Sequence, residues 1–283
     1  MRTAPYEPQG GGDSQGLGIG DSYAPSSMSV TKKLIWANGI AFFASLLLVK
    51  FWPAVGDPLW SWLVLDPSTW YRGIPAVWQL WTFGFLHDTH SPMHILFNML
   101  ALYFFGTMLE GHVGSRRFAW QYFTALAVGG LVHLAVGPLL GAAPVVGASG
   151  AVLYTVIACA VVMPNARVIF FFVPMQLKVM AFILVGLDIF GVLSTMGKDR
   201  SFSGTASDVH LAGAALGFIA ARAGWIWFDP KAWWQARGEQ RVAETQASDE
   251  QRLDQLLERI HREGIHSLSQ RDKDFLSRMS KRD

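Results

Sequence analysis

Apolar residues in this chain come in long uninterrupted blocks, not in the alternation of a strand or the single stripe of a surface helix. Blocks near the ~20 residues that a helix needs to cross a hydrocarbon layer of about 30 Å cover residues 34–52, 92–110, 118–136, 149–163, 175–195 and 208–228. They predict an all-α polytopic membrane protein, a bundle of six transmembrane helices within residues 30–228. Residues 168–173 are apolar too, but Pro174 and Lys178 separate them from the fifth block. Lys178 is expected to snorkel to an interface, which makes 168–173 an interfacial loop. Polar positions dominate both flanks. Residues 1–29 are rich in Gly, Ser and Pro, lack the basic start and apolar centre of a signal peptide, and predict a disordered cytosolic arm. Residues 229–283 predict a charged, partly helical cytosolic tail. There Leu253, Leu256, Leu257 and Ile260 share a helical stripe, Gly264 is a stop, and Leu268, Phe275 and Leu276 mark a second short element. Such a tail is either a docking module for an unknown protein or a solvated appendage.

Composition agrees with the block pattern. With 51% apolar and 16% charged residues the chain is too apolar for a soluble domain, and 22 of its 44 charged side chains lie from Asp229 onward. A net charge of +2 with a balanced tail gives no reason to expect a nucleic-acid partner. The single cysteine, Cys159, excludes an intrachain disulfide. Lys32 and Lys33, Arg116 and Arg117, and Arg167 and Lys178 fall on one side of the predicted bundle; Arg72, Lys198 and Arg200 sit in longer loops opposite. This bias predicts cytoplasmic N- and C-termini, with a bacterial inner membrane as the expected location. The loop 53–91 carries Trp60, Trp62, Trp70, Trp78 and Trp81, a composition suited to the outer headgroup region.

Topology brings out the candidate chemistry. The second, fourth and sixth segments run from outside to inside and open with His94 and Asn98, with Ser149, and with His210, so these side chains share one leaflet. Ser149 lies in Gly147-Ala148-Ser149-Gly150, and Pro164 ends the segment after roughly 22 Å of helix, short of a ~30 Å layer. Ser149 is therefore expected below the outer surface, with 138–147 dipping inward where protein or water covers its backbone. A helix N-terminus there suits an anionic tetrahedral intermediate; the plainer reading makes Ser149 an N-cap. His210, in the first turn of a helix capped by Ser207, supplies a base. Gly213 and Gly217 form a small-residue strip that lets the sixth helix approach the fourth. Asp208 falls on the opposite face from His210, so the residues read as a Ser149–His210 dyad. Ser91 and Pro92 start the second helix, on which His94 and Asn98, four apart, can both donate to an oxyanion. Zinc binding by His87, His90 and His94 is disfavoured because Pro92 starts the helix between the last two, and neither a metal nor a cofactor is expected. Asp188, within the fifth segment, should face the bundle or water, as a gating or structural group. His133 reads as an interhelical hydrogen-bond partner.

Several of these stretches together resemble the rhomboid intramembrane serine proteases: Gly147-Ala148-Ser149-Gly150, His94-Ile95-Leu96-Phe97-Asn98, Phe105 to Glu110 followed by Gly114 and Arg117-Phe118, and His210-Leu211-Ala212-Gly213. The resemblance runs from about Trp78 to Gly217. It implies a six-helix endopeptidase with Ser149 as nucleophile and His210 as base, then acid. His94, Asn98 and the Ser149 backbone N–H would form an oxyanion hole, Gly147, Gly150, Gly213 and Gly217 would support it, and Glu110 would be a structural prop. The implied substrates are single-span membrane proteins, cut where their helix unwinds, in contact with membrane lipid; the fifth helix and the outer loop 198–205 would be the gate. A non-catalytic rhomboid-like scaffold for transmembrane clients is the alternative. Two positions depart from the family pattern: Gln79 follows Trp78 where many members have Arg, and Tyr154 stands five residues after the serine where many members have an aromatic at four.

Overall fold

The structure, a computed structural model, describes residues 28–280 except 74, 141–142, 171 and 196–205. The expected arm 1–29 falls almost wholly outside the described residues, as does the proposed gating loop 198–205. The first long helix, α1 (Val30–Phe51), is followed by three short helices of the Trp-rich loop: α2 (Pro53–Leu63), α3 (Pro67–Tyr71) and α4 (Gln79–Thr82). Next come α5 (Pro92–Ala101) and α6 (Thr107–Val113), joined by a π turn over Leu102–Gly106, then α7 (Ser115–Leu140) and α8 (Ser149–Val162). A hairpin of β1 (Arg167–Phe170) and β2 (Val173–Gln176) leads into α9 (Leu177–Thr195) and α10 (Ser207–Arg222), and the tail forms α11 (Pro230–Glu263) and α12 (Gln270–Met279). Every predicted apolar block holds a helix. Among the described residues four stretches are long and apolar enough to cross a membrane: Val30–Phe51, Pro92–Val113, Ser115–Gly137 and Leu177–Ser194. The fourth and sixth blocks give the shorter α8 and α10.

Residues 168–170 and 173 lie in strands: β1 and β2 form an antiparallel hairpin paired from Arg167↔Gln176 to Phe170↔Val173, so the inward-facing backbone groups of each strand find partners on the other. Lys178 reaches Asn165 at its base (3.2 Å).

The bundle is organised around α8, buried from Gly150 to Ala160, as expected of a helix apolar on all sides. Two polar devices pin the elements around it. Glu110, buried in the first turn of α6, accepts from Val30 N and Thr31 N at 2.8 Å and from Thr31 Oγ1 and Ser115 Oγ at 2.6 Å. A carboxylate thus sits on the orphan N–H groups and positive end of α1 while also tying down the start of α7. Glu110→Gln removes the charge and one acceptor oxygen from this cluster. It is expected to cost about 2 kcal/mol, the scale of a hydrogen bond to a charged group, read as a lower unfolding midpoint in detergent. The second device is His133 on α7. Its Nδ1 lies 2.6 Å from Asp208 Oδ2 and its Nε2 2.9 Å from the Ala143 carbonyl. Two acceptors on one imidazole require the pair to hold a proton between them, which keeps it neutral overall and suited to burial.

The Trp-rich loop is held by Gln79. Its Oε1 accepts from Trp70 Nε1 (3.0 Å) and Asp66 N (3.4 Å), and its Nε2 donates to the Trp62 carbonyl (3.3 Å). Trp78 stacks on Trp62 with ring centres 4.4 Å apart and donates to the same carbonyl. A neutral amide therefore does here, with both donor and acceptor, what an Arg could do only as a donor.

In the tail, α11 is capped by Asp229, whose carboxylate accepts from Lys231 N and Ala232 N and pairs with Arg116 of α7. Leu256, Leu268 and Phe275 form a core of their own with Leu253, Ile260, Leu276 and Met279 against it. Leu257, expected on the same stripe, is instead half exposed. Asp272 accepts from Ser269 Oγ (2.6 Å) and from Arg252 (2.8 Å), whose guanidinium also lies over Phe275. The Ser269 hydroxyl first, and the Arg252 charge second, hold this carboxyl below its ordinary range. Its contribution is fully present above the unfolded value, about 3.9, and is lost as pH falls through the lower folded value. Amide protection factors in residues 250–280 should therefore fall as pH drops from about 3.9 through that lower value and level off below it, and Asp272→Asn should remove this step.

Candidate active site

Ser149 is the first residue of α8 and does not cap it. The cap position is Ala148, which makes no side-chain cap bond. The hydroxyl turns instead to α10, with Oγ 2.6 Å from His210 Nε2. On the far side of the ring, Nδ1 lies 2.7 Å from Asp188 Oδ1 on α9. An Nδ1–H donated to a carboxylate leaves the Nε2 lone pair to accept the serine proton, the tautomer that a general base needs. Both side chains are largely sheltered, 19% and 14% exposed.

Main-chain proximity sets this geometry. A Cβ on Gly213 would fall 2.0 Å from the Gly150 carbonyl oxygen, and one on Gly217 2.5 Å from that of Tyr154. Helices α8 and α10 therefore touch backbone to backbone. Gly150 itself faces Val209, the residue before the histidine. Ser207 is the first residue of α10, not its cap; the cap is Ala206, without a side-chain bond. Asp208 turns to His133, away from the His210–Ser149 contact.

The chain enters α8 from an extended segment whose backbone is paired inside the protein. Leu65 and Val145 exchange both N–H···O bonds, at 3.3 and 3.0 Å, and Gly147 N donates to Phe83 O at 2.9 Å. Gly147 has φ +122°, and a Cβ there would lie 2.9 Å from His94 Cε1, 3.0 Å from its Nε2 and 3.7 Å from Ser149 Oγ. Only glycine suits the backbone, and only its missing side chain leaves room for the His94 ring beside the serine.

His94 and Asn98 lie on α5, which starts at Pro92; Ser91 holds the cap position but makes no cap bond with its side chain. The buried Asn98 donates from Nδ2 to His87 Nε2 (3.2 Å), so one amide hydrogen remains for another acceptor. His87 is fully buried and meets the His94 ring edge to face, centres 5.3 Å apart. His90 turns outward to Asp88 (3.2 Å). Among the described residues no three His, Cys, Asp or Glu side chains group as metal ligands. Tyr154 donates to Gln121 of α7 (3.2 Å), which turns its hydroxyl toward α7.

Two groups at this site carry more than sequence reasoning gave them. His87, which the sequence offers only as a metal-ligand candidate, orients Asn98. The cost of a lipid-facing carboxylate says only that Asp188 faces the bundle or water; it lies about 16 Å along α9 from Leu177 at 1.5 Å per residue and meets His210.

Residues 239–282 match a family of unknown function, DUF6576, and no curated protein matches the chain significantly. Residues 75–227 match the Rhomboid domain. That match covers more than half of the sequence and runs from the Trp-rich loop past the end of α10, taking in every side chain that surrounds Ser149; the chain belongs to the rhomboid family.

Proposed function

We propose that this rhomboid-family membrane protein is an intramembrane serine endopeptidase that cuts single-span membrane proteins in or near their transmembrane segments. The observation that carries the reading is the 2.6 Å contact between Ser149 Oγ and His210 Nε2, made at the N-terminus of a buried helix. Ser149 attacks the scissile carbonyl as His210 takes its proton, and His210 returns that proton to the leaving amine. The tetrahedral oxyanion is received by the Ser149 N–H, His94 and the free Asn98 hydrogen, donors organised before reaction. Water then releases the acyl group with His210 again as base. In this reading the protein sits in a bacterial inner membrane with both termini in the cytoplasm, needs no cofactor, and offers its tail to a cytosolic protein.

The test is cleavage of a single-span substrate in proteoliposomes, paired with labelling of Ser149 by a fluorophosphonate. Cleavage and labelling by wild type that vanish together in Ser149→Ala support the reading. A folded wild type that neither cleaves nor labels leaves the polar cluster as a client-binding surface of a scaffold.

A further inference from the structure

We infer that Asp188 is a positioning residue, the third member of a Ser149–His210–Asp188 triad assembled across α8, α10 and α9. This rests on the protease reading above and extends it.

The carboxylate accepts from His210 Nδ1 at 2.7 Å on the side of the ring opposite Ser149. It fixes the tautomer that leaves Nε2 as acceptor, and when Ser149 transfers its proton it faces the imidazolium that forms. A carboxylate inside a membrane helix costs roughly 2.5–3.5 kcal/mol if it faces lipid. Asp188 avoids that position: its side chain is 14% exposed, while Leu187, Ile189 and Phe190 beside it are exposed. The acid on α10 itself, Asp208, is held by His133 and so does not compete. The titratable groups that face His210 are thus Asp188 from α9, the Ser149 hydroxyl from α8, and His94 of α5 within electrostatic reach. Only Asp188 among them carries a negative charge opposite Nδ1.

The arrangement also links the base to α9. Exposed Phe182, Leu187, Phe190 and Leu193 line this helix, and any displacement of α9 outward takes the carboxylate away from the imidazole.

The experiment compares Asp188→Asn, Asp188→Ala and Asp188→Glu with wild type in proteoliposomes, per folded protein by size exclusion and thermal midpoint. The readouts are kcat, KM, the pH dependence of kcat/KM, and the rate of fluorophosphonate labelling. Asp188→Asn and Asp188→Ala should lose about 10²- to 10⁴-fold in kcat with KM little changed, on the scale seen when a triad carboxylate is removed. Their acid limb should move to lower pH, since an anionic neighbour favours the charged imidazole, and Asp188→Glu should recover part of both. Activity of folded Asp188→Asn and Asp188→Ala within about threefold of wild type overturns the triad and leaves the dyad standing. A loss in kcat with an unmoved acid limb overturns it as well, because a merely structural aspartate would behave so. A wild type inert to substrate and fluorophosphonate alike removes the underlying protease reading, and the triad with it.

Discussion

Ser149→Ala and His210→Ala are each expected to lower kcat for cleavage of a single-span substrate by about 10⁴- to 10⁶-fold, with little change in substrate affinity. The magnitude follows from residues that act as a unit: removing the nucleophile or the base costs nearly as much as removing both, and what remains comes from binding and oxyanion stabilisation. The double variant should therefore be no slower than either single one. Ser149→Ala loses only the bond from Oγ to His210 Nε2, about 1 kcal/mol, and should stay folded; His210→Ala also takes the partner from the Asp188 carboxylate, so its rate is read per folded protein. Cleavage by folded Ser149→Ala at a tenth of the wild-type rate or more would exclude Ser149 as nucleophile.

Gly213→Ala should be the most damaging substitution of a residue that bears no reactive group. The new methyl would lie 2.0 Å from the Gly150 carbonyl oxygen and 3.3 Å from its Cα, and backbone cannot step aside as a flexible side chain can. Helices α8 and α10 must separate by more than 1 Å. Overpacking of this kind costs roughly 1–3 kcal/mol and occasionally more, and a 1 Å misplacement of reacting groups costs about 10²-fold in rate. The expected result is a lowered unfolding midpoint and at least a hundredfold loss of cleavage in the folded fraction. Gly111→Ala, where nothing lies within 4 Å of the added methyl, is the control that should leave cleavage unchanged and the midpoint unchanged or raised, since Ala favours the helix over Gly.

The sequence makes the membrane helices and the serine, histidine and glycine positions legible for a common reason. Long apolar blocks, and the few reactive groups interrupting them, are local patterns that need no knowledge of packing. Residue counts from the start of each block put Ser149 and His210 at one level, and the structure brings the two side chains into contact. Side-chain pairing was not legible. Asp188, within α9, and Asp208, in the first turn of α10, are both acids in apolar helices, and nothing local says that one meets His210 and the other His133. The rotation of α9 about its own axis decides it. Gln79 was visible only as a missing Arg; its use of both amide ends depends on Trp62 and Trp70 folding back over it. The hairpin at 167–176 was hidden by a continuous apolar composition that suits an interfacial loop or a strand equally.

The helix that carries Ser149 has 14 residues, about 21 Å, some 9 Å less than an average hydrocarbon layer. In the proposed protease this shortness would work as a ruler. The serine would keep its depth relative to the bundle, while a substrate's span is set by its own apolar length against the bilayer, through tilt and local thinning. The peptide bond presented to Ser149 would then be selected by distance from the end of the substrate helix, before any side-chain preference acts, and the same substrate in a thicker bilayer would offer a different bond.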